Sequence, residues 1–215
     1  MNVLVVDVGG TNVKILATGE TEPRRFASGP SMTVERMVAG VKELAAGWKY
    51  DVISLGYPGF VAGGKVAIEP YNLPPGWIGF DYESAFGCSV KVLNDAAMQA
   101  LGSYQGGALL FLGLGTGLGS SLVYDGVVVP MELGHLSYAD STYEDFVGAR
   151  GLKRLGVQEW TRYVTLCVDR LDAALHPDDI VLGGGNAKRL TPLPPHCRLG
   201  DNALAFEGGF RLWEG

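Results

Sequence analysis

The segment VLVVDVGGTNVKIL, residues 3–16, introduces a pattern that recurs later in the chain. An apolar stretch leads into Asp7, the turn GGTN follows, and a second apolar stretch carries Lys14. Two such stretches joined by a glycine turn predict a β-hairpin. The same turn could bind an anion, because glycine amides approach phosphate oxygens without a Cβ in the way. The hairpin alone leaves both interpretations open.

A second copy of this arrangement begins near residue 106. The segment ALLFLGLGTGLGSSLVYDGVVV again gives an apolar strand, a glycine-rich hairpin and further strands. After each hairpin, helical and strand-like segments alternate, and the residues after the later motif GGGN predict one more helix. The duplication predicts an α/β fold of two similar lobes that face each other across a cleft. We expect an N-terminal lobe over residues 1–105 and a C-terminal lobe over 106–215, with the last helix packing back on the N-terminal lobe.

The composition narrows the class of protein. Hydrophobic residues make up 47% and charged residues 19%, which allows a substantial core and gives no sign of disorder. A formal net charge of −6 argues against a general nucleic-acid partner. The three cysteines are far apart and fit reduced thiols better than a disulfide framework. We expect no signal peptide, and the glycines of GGALLFLGLGTGLGSSLVY argue against a membrane helix. We therefore expect a cytoplasmic protein with no membrane partner.

Three glycine clusters are candidate phosphate- or nucleotide-binding elements. In the first two, turn amides and a threonine hydroxyl could converge on phosphate oxygens, with Lys14 adding a positive charge. The third ends the apolar strand IVL, where open α/β sheets place ligands. An ordinary hairpin explains either of the first two alone, whereas two matching hairpins favour a phosphate chain. The candidates are Gly9, Gly10, Thr11, Asn12 and Lys14; Gly115, Thr116 and Gly117; and Gly183, Gly184, Gly185 and Asn186.

Seven short motifs, taken in order, resemble those of a known family. They are DVGGTNVK, GYPG, PYNLPPGW, VLNDA, GLGTGLGS, ELGH and LGGGN. Together they resemble the ROK sugar kinases of the actin-like ATPase superfamily, and above all the short bacterial branch that includes polyphosphate glucokinase. The resemblance covers nearly the whole chain. It implies two ribonuclease-H-like lobes, with donor phosphates between the glycine turns and a sugar at the floor of the cleft.

Two carboxylates are candidates for the chemistry. Asp95 follows the strand SVKVLN, and phosphoryl transfer to a sugar hydroxyl needs a base within hydrogen-bond reach of that hydroxyl. A helix N-cap would explain the same residue, and the resemblance favours the catalytic base. Asp7 matches the carboxylate that faces Mg²⁺ in related kinases, often through water. An aspartate that only caps the hairpin turn is the alternative.

A sugar site needs polar side chains that converge on hydroxyl groups, because unpaired polar groups in a desolvated site are costly. Singly, each candidate could be a cap or a solvated surface group; Glu144 could be a first-turn acid and His135 a structural histidine. As a set that matches one sugar site in motif order, they favour sugar binding. The candidates are Asn72, Asn94, Glu132, His135 and Glu144.

The chain also departs from the family pattern. No cysteine lies between His135 and Glu144, so we expect no zinc site of the kind that many ROK proteins have there. Ala97 stands where the family has a second asparagine, and no helix-turn-helix precedes the first strand, which argues against the DNA-binding branch. A set of basic residues could form a track for polyphosphate, although a solvated helix face explains them equally well. They are Arg150, Lys153, Arg154, Lys188 and Arg189.

The preferred hypothesis is a kinase that transfers a phosphoryl group from ATP or polyphosphate to the primary hydroxyl of a hexose such as glucose. It implies Mg²⁺ as cofactor, and we expect a homodimer. Two alternatives stay open. One is a sugar-binding or regulatory relative without catalysis, suggested by the short chain and Ala97. The other is an actin-like ATPase that acts on a non-sugar acceptor and has no use for the sugar-site set.

Overall fold

The computed structural model describes residues 1–214, which form two compact units. The first unit contains Met1–Met98 and the segment that begins at Ala205, and the second contains Gln99–Leu204. The chain passes from the first unit to the second inside a helix. That point lies several residues before the predicted lobe boundary at 105.

Within residues 1–214, the two units contain fourteen strands and six α-helices. Up to residue 103 they are β1 (Val3–Val8), β2 (Asn12–Ala17), β3 (Arg24–Ala27), α1 (Val34–Leu44), β4 (Val52–Tyr57), β5 (Val61–Ala62), β6 (Lys65–Val66), α2 (Tyr82–Phe86), β7 (Ser89–Asn94) and α3 (Asp95–Ser103). The remainder are β8 (Ala108–Leu114), β9 (Leu118–Tyr124), β10 (Val127–Met131), β11 (Ser137–Tyr138), β12 (Ser141–Thr142), α4 (Tyr143–Val147), α5 (Ala149–Leu175), β13 (Asp179–Gly183), β14 (Cys197–Leu199) and α6 (Leu204–Arg211).

Each unit is built on a five-stranded sheet with the same topology. The first sheet has the order β3-β2-β1-β4-β7, in which β1, β2 and β3 pair antiparallel while β4 and β7 join parallel. The second has the order β10-β9-β8-β13-β14 and repeats that pattern of directions. The predicted α/β class and the duplication of the hairpin scheme are therefore confirmed.

The central strand of the first sheet is buried on both faces. Leu4, Val6 and Val8 face the core that holds α1, whereas Val3 and Val5 face a smaller cluster that includes Phe206 of α6. Burial on both faces explains why residues 3–6 of this strand form a continuous apolar run without polar alternation. The C-terminal helix belongs to the first unit, where the carbonyl oxygen of its Gly209 accepts a hydrogen bond from the buried Ser54 hydroxyl.

The apolar residues of MTVERMVAGVKELAAGW recur at helical spacing and predict a helix, and α1 forms within this segment. Thr33 is its N-cap, and the Thr33 hydroxyl accepts a hydrogen bond from the Arg36 amide. Its buried side chains recur at helical spacing and include Val34, Met37 and Val41. In the second unit, α5 buries one face in the same way, although Gly156 interrupts it with a non-helical backbone (φ 75°, ψ 165°).

The prediction of a helix after GGGN is wrong. Only a single 3-10 turn forms there, at Ala187–Arg189, and the chain then enters β14. The segment TPLPP after this turn explains the difference, because proline lacks an amide hydrogen and disfavours helix in the residue before it. Within residues 1–214, every helix is too short or too polar to cross a lipid bilayer.

Candidate active site

The first glycine turn joins β1 to β2 at an exposed end of the first sheet. The Gly9 amide donates to the Asn12 carbonyl across the turn, at 2.9 Å, so the turn itself uses this predicted phosphate donor. Gly10 and Thr11 are exposed, and the amide of Ser28 fixes the Thr11 carbonyl at 2.8 Å. The part of this turn that can face a ligand is therefore Gly10–Thr11.

Asp7 and Lys14 lie directly opposite each other on β1 and β2. The Lys14 Nζ is 3.7 Å from Asp7 Oδ2, and the two side chains are 35% and 17% exposed. Burial raises the pKa of Asp7, and the charge and hydrogen bond of Lys14 oppose that shift. A carboxylate oxygen is a hard ligand of the kind that Mg²⁺ prefers, and Mg²⁺ is commonly held by one or two carboxylates, water and phosphates. Asp7 therefore fits the predicted magnesium contact.

Asn72 lies beside the first turn, in the loop between β6 and α2. A Cβ added to Gly10 would lie 3.8 Å from the Asn72 Cβ, and Asn72 is exposed. The first unit therefore brings a predicted sugar ligand to the predicted phosphate turn. The base of this loop is held by Glu69, whose carboxylate accepts the amides of Gly76, Trp77 and Ile78. Sequence reasoning missed Glu69, which stands immediately before the motif PYNLPPGW and three residues before Asn72.

Asn94 and Asp95 mark the end of β7 and the start of α3. The Asn94 Oδ1 accepts the amides of Ala96 and Ala97 at 2.8 and 3.2 Å, and its Nδ2 donates to the Gly59 carbonyl at 2.9 Å. Asn94 thus caps the helix and holds the GYPG loop, which leaves one of its N–H groups for a sugar. The half-buried Asp95 also accepts from the Ala96 amide, at 2.8 Å. The main capping role falls to Asn94, which weakens the simple N-cap interpretation of Asp95.

The second glycine turn repeats the design of the first. The Gly115 amide donates within the turn, to the carbonyls of Gly113 and Gly117 at 3.1 and 3.2 Å, as Gly9 does in the first turn. Thr116 is exposed at the tip. The amide of Ala149, the first residue of α5, donates to the carbonyls of both Gly115 and Thr116, at 3.0 and 3.1 Å. The turn is therefore fixed from behind, and Thr116–Gly117 is the part that can face a ligand.

Glu144 packs directly against this second turn. A Cβ on Gly117 would collide with the Glu144 carboxylate, and a Cβ on Gly134 would lie 3.5 Å from the Glu144 Cβ. Gly134 belongs to the 3-10 turn Leu133–His135, which begins after Glu132. The only residue type that allows this close approach is glycine, because the hydrogen that replaces Cβ leaves room for the neighbouring chain.

Glu132, His135 and Glu144 form one electrostatic cluster in the second unit. Burial around the carboxylate raises the pKa of Glu132, although the residue as a whole is exposed; His135 lowers that pKa and Glu144 raises it. His135 is also exposed, which disfavours the alternative of a buried structural histidine. The structure thus brings three of the predicted sugar ligands together.

The segment between His135 and Glu144 is a small hairpin of β11 and β12 supported by aromatic rings. The Tyr138 ring stacks on Tyr143 at 5.2 Å and meets Phe146 edge-on at 5.1 Å. Arg150, a predicted track residue, has its Nη2 3.5 Å from Glu144 and 3.1 Å from Asp145. Within residues 1–214, no three or more His, Cys, Asp or Glu side chains gather as a metal-binding group.

The GGGN loop packs onto the second turn. The Asn186 side chain donates to the Gly115 carbonyl at 3.2 Å, and its amide donates to the Leu114 carbonyl at 3.0 Å. Gly184 has φ +82°, and a Cβ there would lie 2.6 Å from the Leu114 oxygen, so this position requires glycine. Gly185 has open space around it. Asn186 and Gly184 therefore hold the loop in place, and Gly185 is its ligand-accessible member.

The other track residues are only partly available to a ligand. Arg154 covers the Phe146 ring at 5.1 Å and donates to the Asp145 carbonyl at 3.0 Å. Lys153, Lys188 and Arg189 are exposed, and the last two follow the GGGN loop.

The chain is similar to several known sugar kinases. No family model matches the sequence. Polyphosphate glucokinase of Mycobacterium tuberculosis is 26% identical over 208 residues, covering 86% of this chain and 77% of the relative. The chain superimposes on the inorganic polyphosphate/ATP-glucomannokinase of Arthrobacter sp. strain KM with a TM-score of 0.78 at 24% identity, covering 96% and 98% of the two chains. The chain is thus similar in sequence to polyphosphate glucokinases and has the fold of ROK sugar kinases.

A further ROK structure shares the fold along its full length. The ROK hexokinase of Thermus thermophilus superimposes with a TM-score of 0.75 at 22% identity and covers 100% of both chains. The resemblance to ROK kinases that the seven motifs indicated is confirmed. The roles of the individual ROK-motif residues remain predictions.

Proposed function

We propose that the protein is a hexose kinase that transfers the terminal phosphoryl group of ATP or polyphosphate to the primary hydroxyl of a sugar such as glucose. The observation that carries this proposal is the direct contact between Glu144 and the Gly117 turn. A kinase must hold the acceptor hydroxyl beside the donor phosphate, so a sugar ligand built against a phosphate turn is the expected arrangement. The names of the relatives, polyphosphate glucokinase and polyphosphate/ATP-glucomannokinase, support the same substrate classes.

The chemical step is an in-line displacement with Asp95 as the base. The oxygen of the sugar hydroxyl attacks the terminal phosphorus, the bond between that phosphorus and the donor's bridging oxygen breaks, and the hydroxyl proton passes to the Asp95 carboxylate. The fixed start of α3, capped by Asn94, holds Asp95 in position. Mg²⁺, when bound near Asp7, would neutralise charge on the donor phosphates.

The remaining site residues divide into phosphate and sugar ligands. In each unit the part of the turn that can face a ligand, Gly10–Thr11 or Thr116–Gly117, offers amides and a hydroxyl to phosphate oxygens. Asn72 is the candidate sugar ligand of the first unit, and the cluster of Glu132, His135 and Glu144 supplies the candidates of the second. Carboxylates and imidazole accept hydrogen bonds from sugar hydroxyls, which orients the ring for attack by one specific oxygen.

The test is a coupled assay of glucose, mannose and N-acetylglucosamine, each with ATP and with polyphosphate. We expect turnover with at least one hexose and one donor. The Asp95→Asn variant should lower kcat by about 10²- to 10⁴-fold while the sugar Kd, measured by calorimetry, changes only a few-fold. A folded protein that phosphorylates none of these sugars, or an Asp95→Asn variant with a near-normal kcat, would contradict the proposal.

We further propose that the enzyme is a homodimer of the cytoplasm. Strands β9 and β10, at one edge of the second sheet, carry exposed apolar side chains that support self-association: Tyr124, Val127 and Val129. All three cysteines are free thiols, as expected in a reducing compartment. Light scattering at assay concentrations tests the dimer, and a mass of one chain, 22.8 kDa, would contradict it.

A further inference from the structure

The loop at residues 68–78 combines an anchored base with an exposed tip. At the base, Glu69 Oε1 accepts the amides of Gly76 and Ile78 at 3.1 and 3.3 Å, and Oε2 accepts the amide of Trp77 at 3.0 Å. One carboxylate therefore binds three consecutive backbone N–H groups on the far side of the loop. Hydrogen bonds to an ionised acceptor are about twice as strong as neutral ones.

Buried aromatic side chains hold the same base from below. The Tyr57 hydroxyl donates to the Ile68 carbonyl at 2.9 Å, and the Trp77 Nε1 donates to the Pro74 carbonyl at 2.8 Å. The two rings lie 5.7 Å apart, and both residues are fully buried. The loop is therefore closed at its base by both a carboxylate and a packed aromatic pair.

The tip of the loop is open to solvent. Tyr71 is 88% exposed, and its neighbour Asn72 is exposed beside the first glycine turn. Within residues 1–214, the Asn72 side chain makes no hydrogen bond and no ion pair. Its position therefore depends on the shape of the loop. That shape depends on the closure at Glu69.

Glu69 keeps its charge at neutral pH. Desolvation acts to raise the pKa of Glu69, but the three backbone N–H bonds outweigh it and lower the pKa overall. The carboxylate is thus ionised at neutral pH. Within residues 1–214, it forms no ion pair with a cationic side chain. Its hydrogen bonds go to the loop backbone instead.

We propose that Glu69 is a positioning residue for the sugar: its carboxylate closes the 68–78 loop and so fixes Asn72 where the sugar hydroxyl binds. This inference rests on the proposed function. Glu69 itself does not touch the reacting atoms. Its removal should weaken sugar binding because a loop that samples several shapes must lose that freedom when the sugar binds.

The experiment compares Glu69→Gln and Glu69→Ala with the control Asp81→Ala. Asp81 suits this purpose because its carboxylate also accepts a backbone amide, that of Ser84 at 2.9 Å, but it caps α2 outside the loop. Each variant is assayed for the sugar KM, the donor KM and kcat. Hydrogen exchange of the 70–78 peptide gives a readout that needs no substrate.

We expect a graded effect on the sugar alone. Glu69→Ala should raise the sugar KM by about tenfold or more, with kcat and donor KM within about threefold of the unchanged protein. The sugar KM of Glu69→Gln should lie between those of Glu69→Ala and the unchanged protein. Its amide oxygen can still accept the backbone amides of Gly76 and Ile78, whereas its NH₂ faces the Trp77 N–H. Hydrogen exchange in the 70–78 peptide should be fastest in Glu69→Ala, intermediate in Glu69→Gln and slowest in the unchanged protein. Asp81→Ala should match the unchanged protein in both the sugar KM and the exchange rate.

The outcomes distinguish this inference from the proposed function. If Glu69→Ala keeps the sugar KM and the exchange rates of the unchanged protein, this inference is wrong while the kinase assignment stands. If Glu69→Ala and Asp81→Ala raise the sugar KM and donor KM equally, the effect is general destabilisation and the positioning role is refuted. If the unchanged protein neither binds nor phosphorylates a hexose, the proposed function fails, and this inference fails with it.

Discussion

Adding one methyl group at Gly117 should lower kcat/KM for the sugar without destabilising the fold. The φ of Gly117 lies outside the left-handed region, so alanine meets no left-handed backbone strain there. Its Cβ would lie 3.3 Å from Glu144 Cδ and 3.8 Å from Glu144 Cβ, and it would overlap the carboxylate oxygen Oε2. To restore ordinary contact distances, the carboxylate must move by about 1 Å. The end of a flexible side chain can make this movement, whereas the backbone behind it stays in place.

The expected magnitudes follow from what the displaced carboxylate touches. Its ion pair with Arg150, 71% exposed, contributes no more than about 1 kcal/mol. Replacing glycine where alanine fits the backbone stabilises by about 0.4–1 kcal/mol through the unfolded chain. The two effects nearly cancel, so the free energy of unfolding should change by less than about 1 kcal/mol. A ligand misplaced by about 1 Å can cost up to about 100-fold in rate, so we expect kcat/KM for the sugar to fall by about 10- to 100-fold.

The assay pairs Gly117→Ala with Gly115→Ala on the same turn. A Cβ on Gly115 meets nothing within 4 Å, so this control adds the same methyl group without displacing Glu144. We expect the control to keep the sugar KM within about twofold, with any effect falling on the donor KM. Urea unfolding of both variants measures stability independently. An unchanged sugar KM in Gly117→Ala, or a loss of stability as large as its loss of activity, would refute this reasoning.

Two further predictions concern stability. Gly209→Ala should destabilise the protein by about 1–3 kcal/mol despite the better helix propensity of alanine, because the new Cβ would lie 2.7 Å from Cγ2 and 3.1 Å from Cβ of the fully buried Val5. Urea unfolding should show that Val5→Ala relieves part of this loss in the double variant, and strictly additive losses would contradict the clash. Because burial raises the pKa of Glu132, the folded protein binds a proton more readily than the unfolded chain, so the free energy of unfolding should fall as pH rises from 4.5 through the folded pKa. Glu132→Gln should flatten this slope in urea titrations, and equal slopes would count against the shift.

The local chemistry of the chain was predictable because it depends on neighbouring residues. An apolar run, a glycine turn and a second apolar run favour a hairpin, so the two copies predicted two similar lobes, and the structure has two sheets of the same topology. The spacing of Val34, Met37 and Val41 likewise predicted α1 and its buried face. The edge strands β3 and β14 were missed because the short segments RRFA and CRL carry little apolar alternation.

Several predicted site residues make hydrogen bonds that stabilise the fold, either in addition to facing a ligand or instead of facing one. Gly9 and Gly115 use their amides inside their own turns, and the side chains of Asn94 and Asn186 bind neighbouring backbone carbonyls. A motif records which residue types occur at a site, and it does not record which of their atoms are already engaged. That information depends on hydrogen bonds with backbone groups elsewhere in the chain.

The sequence by itself determined the duplicated strand and turn pattern, the order of the motifs and the residue types available for phosphate and sugar. Only the tertiary structure decided that Glu144 lies against Gly117, that Glu69 closes the loop of Asn72, and that Cys197–Leu199 pairs with β13 as strand β14. The physical reason is the range of the interactions. Turn and helix preferences act over a few residues, whereas contacts between distant residues exist only once the sheets have packed and excluded water.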